Sequence, residues 1–265
     1  MKVRVAIAGR VGGDVFGRVV TDILRDANVE VSHIKTSSGA DTSQTLIVNV
    51  QGEDRRFIHT FGANRDFRAS DIPLQLLDRV KVLYLGGYLL LPGVTQEELV
   101  SVFAAARARG VKTVLDIVVP AKGEYLSRFD RLLPHVDVFL PNHDEGKLIT
   151  GEKDPLRQAE VFQRLGAGTT IVTMGSEGAI LVQKDLRLRS SVYAMPFVDA
   201  SGGGDAFDAG YMCGLLEGKG AEDCLRLASA LGASCVRAIG TTPGVFTRAE
   251  CEAFMKTQIL KIERI

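Results

Sequence analysis

The sequence has no excess of either charge: 32 basic and 32 acidic residues give a formal net charge of zero, and neither sign forms a long run. Nucleic-acid surfaces and polybasic membrane patches need clustered Lys and Arg, so we expect no nucleic-acid or membrane partner. No stretch approaches the roughly 18 apolar residues of a membrane helix. The apolar run in the opening MKVRVAIAGR is also too short for a signal peptide.

Cysteine is sparse and widely spaced. The four cysteines are Cys213, Cys224, Cys235 and Cys251, with no C-x-x-C pair among them. This spacing does not favour a zinc site, and the four thiols fall in helical patterns typical of reduced, buried side chains. Together with the lack of a leader and of a membrane segment, this predicts a soluble, cytoplasmic protein.

A length of 265 residues and a hydrophobic content of 46% suffice for one large domain, which we expect to span residues 1–265. Predicted strands cover residues 81–86, 111–119, 136–140 and 169–173, with a hairpin region through residue 195. Three predicted helices begin at capping residues: at the box Thr95–Glu98, at Asp154 and at the box Thr247–Glu250. Three others are predicted around residues 125–133, at 205–217 and at 222–237. This alternation predicts an α/β fold with a mostly parallel sheet covered by helices on both faces.

The first 62 residues predict a different arrangement. A strand at residues 3–8 leads into a glycine-rich loop, and Asp14 is predicted to cap a helix. A strand, a glycine-rich loop and a helix favour a dinucleotide-binding site, but this loop lacks the G-x-G-x-x-G spacing and the next segments do not suggest a βαβ unit. A nicotinamide-dependent reductase that uses the loop is therefore the least favoured alternative, to be tested by NADH titration. Residues 44–50 and 55–61 favour strands, joined as a hairpin by residues 51–54. The resulting small sheet within residues 30–62 is either a lid or a decorative edge hairpin.

Three consecutive glycines, Gly202–Gly204, precede a helical pattern that ends at Gly218. Glycines have no side chain to pack, but they allow main-chain amides to approach a ligand closely. The unpaired amides at a helix N-terminus hold anions such as phosphate. Because Asp205 lies in the first turn, we predict an anion hole with a carboxylate beside it, the minimum apparatus for phosphoryl transfer to a hydroxyl. The alternative is an ordinary glycine loop with an aspartate favoured by the helix dipole.

More polar residues follow the predicted strands, where ligands bind in sheets of this kind. Asn142 and Glu145 follow strand 136–140, and the Glu145 carboxylate could hold Mg²⁺ directly or through water. Thr173, Gly175 and Gly178 follow the next strand, in a turn whose glycines allow a ring or a phosphate to approach the backbone. The alternatives are a solvated helix start and an ordinary tight turn.

The order of these pieces along the chain resembles that of the PfkB (ribokinase-like) carbohydrate kinases. The pieces are V-G-G-D-x-F-G, P-N-x-x-E, T-x-G-x-x-G, D-x-S-G-G-G-D-A-F and a final Gly-Thr-x-Pro, and they extend over nearly the whole chain. The resemblance implies a ribokinase-like α/β domain with a small β lid through which two copies form a homodimer. It also implies ATP-dependent phosphorylation of a hydroxyl of a sugar, nucleoside or sugar phosphate, with Mg²⁺.

Carried over residue by residue, the resemblance makes Asp205 the catalytic base and Gly202, Gly203 and Gly204 the anion hole. The other implied roles are ATP contacts at Asn142, Thr173, Gly175, Gly178, Ser229 and Gly240, Mg²⁺ at Glu145, and a monovalent cation such as K⁺ at Asp199 and Ser201.

The chain departs from the family pattern in three places. Ala200 replaces the usual threonine, which is expected to weaken cation binding, whereas Gly203 in place of alanine is harmless to an amide-lined hole. The family's N-terminal strand with a sugar-binding acid and its Gly-Gly-Asn segment do not precede residues 3–8, and Asp116-Ile-Val-Val lacks the common D-x-N-x-R. Two hypotheses follow: an active carbohydrate kinase, and a nucleotide-binding protein of the same fold without transfer activity.

Overall fold

The computed structural model describes residues 3–48, 56–120 and 123–265. The strands are β1 (Ala6–Gly12), β2 (Glu30–Ser37), β3 (Gln44–Val48), β4 (Arg56–Thr60), β5 (Val82–Leu85), β6 (Lys112–Leu115), β7 (Val138–Phe139), β8 (Thr169–Thr173), β9 (Ala179–Gln183), β10 (Leu186–Ser190) and β11 (Ile262–Arg264). The α-helices are α1 (Val15–Asp26), α2 (Gln96–Ala108), α3 (His143–Thr150), α4 (Pro155–Arg164), α5 (Gly203–Leu216), α6 (Ala221–Cys235) and α7 (Arg248–Thr257).

The central sheet has seven strands in the order β11-β10-β9-β8-β7-β6-β5. Strands β5 to β8 run parallel to one another. The sheet then continues antiparallel through β9, β10 and β11. Because the carboxyl ends of the four parallel strands meet at one edge, the loops that follow them are brought together there, and this edge is where ligands bind in open α/β sheets.

Neighbouring residues of the central strands face opposite sides of the sheet, and helices cover both sides. Leu115 and Phe139 belong to a core with residues of α2, α3 and α4. The residues just before them, Val114 and Val138, belong to a second core with residues of α5 and α6. This alternation is the period of two expected for a strand, and it explains why a sheet buried on both faces has almost continuously apolar strands.

Helices α5 and α6 approach each other closely because glycines line their contact. A Cβ at Gly210 would lie 2.7 Å from Cα of Ala228, and one at Gly214 would lie 2.7 Å from Sγ of Cys224. Neither distance leaves room for a methyl group, so the two glycines are required by packing. They hold α5, whose amino end points to the edge described above, in a fixed position on the sheet.

The first elements correct one expectation, because β1, α1 and β2 do form a βαβ unit. Strands β1 and β2 are parallel and make a separate two-stranded sheet. Asp14 caps α1 as predicted, accepting a hydrogen bond from the amide of Gly17 at 2.8 Å. Strand β1 extends to Gly12, so most of the predicted glycine loop is extended backbone. Glycine within a strand often marks a place where another backbone segment comes close. Gly12 is such a place, because a Cβ on it would lie 2.5 Å from the amide nitrogen of Thr42.

The predicted hairpin pairs as expected, since β3 and β4 are antiparallel. The turn predicted at residues 51–54 lies outside the described residues. The side chains of β3 are exposed along its whole length, and β3 and β4 form a sheet of their own.

The structure corrects two predictions in the middle of the chain. The predicted strand 111–119 is shorter, because β6 ends at Leu115. The predicted helix around residues 125–133 is absent from the described residues, which show only the 3₁₀ turns Leu126–Arg128 and Leu133–His135 there. Pro134 lies inside the second turn, and a proline cannot supply the amide that an α-helix would need.

An ion-pair group joins the βαβ unit to the rest of the molecule. Asp71 is 3% exposed and accepts two hydrogen bonds from Arg10, at 2.6 and 2.9 Å, and one from Lys35 at 2.9 Å. Burial opposes ionisation of this carboxyl, but the hydrogen bonds from Arg10 and Lys35 outweigh it and lower its pKa. These two ion pairs, Arg10–Asp71 and Lys35–Asp71, therefore hold β1 and β2 against the segment that precedes β5.

The four cysteines are buried, free thiols. Among the described residues, every helix is either too short or too polar to span a bilayer.

Candidate active site

The amino end of α5 presents main-chain amides beside a carboxylate. Gly203, Gly204 and Asp205 form its first turn, and Gly202 is the capping residue. Amides in a first turn have no carbonyl partner within the helix, so those of Gly204 and Asp205 remain available to an anion. A Cβ at Gly204 would meet no atom within 4 Å, and Asp205 is exposed at the same place. The predicted anion hole is thus open to solvent.

Two sets of contacts shape the loop that enters α5. Gly202 has a φ of 77°, and a Cβ on it would lie 2.8 Å from Cα of Thr241, so both conformation and space require glycine. Asp199 accepts the amide and the hydroxyl of Ser201 on Oδ1, at 3.0 and 2.8 Å, and the amide of Gly240 on Oδ2 at 3.0 Å. The predicted cation residues Asp199 and Ser201 are therefore buried together, and they tie this loop to the segment after α6.

The amino end of α3 lies at the same edge of the sheet. Asn142 caps this helix by accepting the Glu145 amide at 2.9 Å, and Oε2 of Glu145 accepts the Asn142 amide at 2.9 Å. Asn142 also pairs with Thr173, the last residue of β8, in a parallel bridge. The structure therefore brings together three predicted residues: Asn142 and Glu145 at the start of α3, and Thr173 at the end of β8.

The predicted nucleotide turn contains Gly175 and Gly178, and a different physical constraint requires glycine at each position. Gly175 has a φ of 55° and open space beyond it, so its conformation alone explains the residue. Gly178 has a φ of 92°, and a Cβ there would lie 1.9 Å from the carbonyl oxygen of Ser190, so the neighbouring strand excludes a side chain. The other two predicted ATP contacts lie further along the chain: Ser229 is buried within α6, and Gly240 follows that helix with a φ of 97°.

Comparison with known proteins settles the family. The pfkB family of carbohydrate kinases matches residues 1–248 of the chain. The chain belongs to this family. It is 27% identical to the ribokinase of Haemophilus influenzae over 263 residues, which cover 96% of this chain and 82% of the relative.

Solved structures share the fold of this carbohydrate kinase. The ribokinase of Arabidopsis thaliana, solved with ribose and ATP, superposes with a TM-score of 0.81 at 23% identity, covering 96% of this chain and 82% of that one. An Escherichia coli structure with ATP and Mg²⁺ gives a TM-score of 0.80 at 22% identity, covering 97% and 84%. The predictions of the family and of the ribokinase-like α/β fold are confirmed.

Three further polar side chains lie at this site that were not predicted to belong to it: those of Asp208, Tyr84 and Asp116. Asp208 lies on α5 three residues after Asp205 and is 4% exposed. The Tyr84 hydroxyl, on β5, lies 3.3 Å from Oδ2 of Asp208. Asp116 directly follows β6, and its Oδ2 accepts the amide of Gly87 at 3.3 Å. Asp208 could have been suspected from the sequence, because it is a charged residue in an otherwise apolar stretch of helix. Its proximity to Tyr84 and Asp116 could not, because the three residues come from separate parts of the chain.

Burial perturbs the acidic residues of the site. Desolvation raises the pKa of Asp116 to about 7 and that of Glu145 to about 8. It also raises the pKa of Asp205 and, with repulsion from Asp116 and Asp205, that of Asp208. Asp205 is reached by solvent, but the protein around it limits its hydration. A cluster of perturbed carboxyl groups at the ligand-binding edge of a sheet is typical of an active site.

Proposed function

We propose that this carbohydrate kinase transfers the γ-phosphoryl group of ATP to a hydroxyl of a sugar or nucleoside. The proposal rests on one juxtaposition: the exposed carboxylate of Asp205 lies in the first turn of α5, next to the open space in front of Gly204. A general base adjacent to an anion hole is what transfer to an alcohol requires. The similarity to a ribokinase solved with ribose and ATP supports the choice of substrates.

In the proposed reaction Asp205 accepts the proton of the acceptor hydroxyl as its oxygen attacks the γ-phosphorus. The new O–P bond forms while the bond from the γ-phosphorus to the bridging oxygen breaks, and ADP leaves with that electron pair. The amides of Gly204 and Asp205 at the amino end of α5 stabilise the negative charge on the transferred group. Gly202 and Gly203 shape the turn that presents these amides. The raised pKa of Asp205 makes it a stronger proton acceptor than an ordinary aspartate.

The donor chemistry of the site fits Mg²⁺. Glu145 is a buried carboxylate whose pKa is raised by desolvation and by the neighbouring carboxyl group of Asp116. Mg²⁺ in sites of this class is bound through one or two carboxylates together with water and substrate phosphates, and Glu145 offers one such carboxylate at the amino end of α3. Glu145 would hold the ion through water, and the ion would neutralise phosphate charge.

The remaining assignments extend the same proposal. Asn142, Thr173, Gly175 and Gly178 would line the nucleotide, as they lie at the ends of β7 and β8 or in the turn after β8. Adenine contacts are assigned to Ser229 and Gly240, and a monovalent cation such as K⁺ to Asp199 and Ser201. The exposed sheet of β3 and β4 would act as the lid and as the homodimer contact, since Leu46 and Ile58 are 60% and 65% exposed.

The experiment that tests this proposal measures ADP release with Mg·ATP across a panel of sugars and nucleosides. We expect release that depends on one acceptor class and falls about 10²- to 10⁴-fold in Asp205→Asn, the range for loss of a general base. Asp223→Asn is the matched control, because Asp223 occupies the same position in the first turn of α6 and is exposed.

Two results would contradict the proposal. One is acceptor-dependent release that Asp205→Asn leaves intact. The other is stabilisation of the protein by Mg·ATP with no ADP release for any acceptor, which would favour the nucleotide-binding alternative.

A further inference from the structure

Three residues of the motif V-G-G-D-x-F-G meet at a single threonine, Thr42. The amide of Gly12 donates to the Thr42 hydroxyl oxygen at 3.0 Å. Asp14 accepts the Thr42 hydroxyl on Oδ1 and the Thr42 amide on Oδ2, both at 2.7 Å. A Cβ at Gly17 would lie 3.0 Å from the Thr42 hydroxyl oxygen. The capping of α1 accounts only for the bond from the Gly17 amide to Asp14, so the contacts with Thr42 have a separate role.

These contacts use the full hydrogen-bonding capacity of a buried residue. Thr42 is 5% exposed, and its amide, its hydroxyl hydrogen and its hydroxyl oxygen are all engaged. The hydrogen bonds from Thr42 and from the Gly17 amide lower the pKa of Asp14, so its carboxylate stays charged. Hydrogen bonds to a charged acceptor are roughly twice as strong as those between neutral groups.

The backbones at this place meet too closely for side chains at two of the motif's positions. A Cβ at Gly12 would lie 2.5 Å from the amide nitrogen of Thr42, and a Cβ at Gly17 would lie 2.3 Å from the carbonyl oxygen of Gly12. The two glycines therefore allow β1, α1 and the segment around Thr42 to come together.

Thr42 lies at the point where the small sheet leaves the rest of the molecule. Strand β3 begins at Gln44 and β4 ends at Thr60, and these two residues pair with each other. Among the described residues, β3 and β4 pair as strands with each other alone. The direction in which this sheet projects is therefore set where its two ends join the molecule. We call residues 41–43 and 60–63 the root of the lid.

The two halves of the root are bonded to each other. The Ala63 amide donates to the carbonyl oxygen of Asp41 at 2.8 Å, and the Ser43 hydroxyl donates to the carbonyl oxygen of Thr60 at 3.0 Å. Because of these bonds, a contact that fixes Thr42 constrains both strands of the lid.

We propose that Asp14 is a positioning residue that holds the lid of β3 and β4 in one orientation through its hydrogen bonds to Thr42. The βαβ unit that carries Asp14 is itself held against the segment before β5 by the two ion pairs of Asp71. The orientation of the lid is thus fixed, through two successive contacts, relative to the central sheet. The inference rests on the proposed function for the role of the lid, but the orientation itself can be measured without turnover.

A fixed orientation of the lid should act mainly on acceptor binding. When the lid samples other orientations, only a fraction of the molecules is ready to close on the acceptor, and the apparent affinity falls by that fraction. A saturating acceptor concentration restores the closed population. We expect loss of the Asp14–Thr42 bonds to raise the KM of the acceptor about tenfold and to change kcat by less than about threefold.

Three variants separate the anchoring of the lid from the capping of α1. Asp14→Asn keeps a good capping residue, but its side-chain nitrogen cannot accept the hydrogen bond of the Thr42 amide. Thr42→Val removes the hydroxyl and keeps the shape, whereas Thr42→Ser retains the hydroxyl and should behave like the wild type. Asp154→Asn is the matched control, because Asp154 is an exposed aspartate that caps α4 through the Leu156 amide at 3.0 Å.

The first measurement is the distance between two spin labels, by pulsed electron paramagnetic resonance without ATP or acceptor. The labels are attached at Leu46→Cys in β3 and Asp185→Cys in the β9–β10 turn, which are exposed positions, whereas the four native thiols are buried. Dilution with unlabelled protein keeps each measured distance within one copy. We expect one narrow distance distribution in the wild type, in Thr42→Ser and in Asp154→Asn, and a broad distribution in Asp14→Asn and Thr42→Val.

The second measurement is the steady-state KM and kcat of the same four variants, with the sugar or nucleoside that supports ADP release. Asp14→Asn and Thr42→Val should show the raised KM of the acceptor, and Thr42→Ser and Asp154→Asn should not. A defect of helix capping alone would lower Tm without changing that KM, so melting curves of the same preparations distinguish the two effects.

The inference is wrong if Asp14→Asn and Thr42→Val give the distance distribution of the wild type. It is equally wrong if the distribution broadens while the KM of the acceptor stays unchanged, or if Asp154→Asn raises that KM to the same extent. The spin-label distances require neither ATP nor an acceptor, so a failure of the proposed phosphoryl transfer would leave them intact. That failure would instead be recognised as a lack of ADP release with every acceptor.

Discussion

Replacing Gly204 by alanine should separate folding from function. Gly204 is the second residue of α5, its φ is not in the left-handed region, and an added Cβ would meet no protein atom within 4 Å. Alanine in place of glycine within a helix stabilises it by about 0.5–1 kcal/mol. For a chain of this size that raises Tm by about 1–4 °C. We therefore expect Gly204→Ala to be folded and slightly more stable than the wild type.

Activity should change in the opposite direction. The new methyl group would occupy the space through which a phosphate reaches the first-turn amides. Loss of one such donor lowers kcat by about 10²- to 10³-fold. Differential scanning fluorimetry and an ADP-release assay on the same preparations measure both effects. Gly220→Ala is the matched control, because Gly220 precedes α6 with the same open space and lies outside the proposed site. A Gly204→Ala variant with wild-type kcat and KM for ATP would refute the anion hole.

Three further predictions concern packing, charge and metal binding. Gly210→Ala places a Cβ 2.7 Å from the α6 backbone, and urea unfolding should show a free energy of unfolding lower by about 1–3 kcal/mol. Asp71→Asn should lower that free energy by about 2–3 kcal/mol at neutral pH, less than for a fully buried pair because Lys35 is half exposed. Because the pKa of Asp71 is lowered on folding, its contribution is present above pH 3.8 and is lost as pH falls through the lowered value, so unfolding of Asp71→Asn should lack that acid dependence. Glu145→Gln should raise the Mg²⁺ concentration for half-maximal activity by about 10- to 100-fold, and an unchanged Mg²⁺ requirement would exclude Glu145 from the metal's surroundings.

Local chemistry explains which parts of the fold were predictable from the sequence. Helix starts at Thr95, Asp154 and Thr247 were correctly placed, because each capping side chain satisfies amides only a few residues away. Strand β8 was predicted with its exact bounds, since five buried β-forming residues lie between turn signals. The helix around residues 125–133 was wrong because an apolar spacing cannot reveal that Pro134 and its neighbours fold into 3₁₀ turns.

The site divides in the same way. The glycines and the aspartate at the start of α5 are adjacent in the chain, so their chemistry follows from helix geometry, and the family follows from the order of such motifs. Asp208, Tyr84 and Asp116 lie on three elements far apart in sequence, and only the packing of α5 across β5 and β6 brings them together. The sequence by itself determined those groups whose role depends only on the backbone of adjacent residues, such as the first-turn amides of α5. The tertiary structure decided which side chains lose their water, because desolvation depends on what surrounds a group in space.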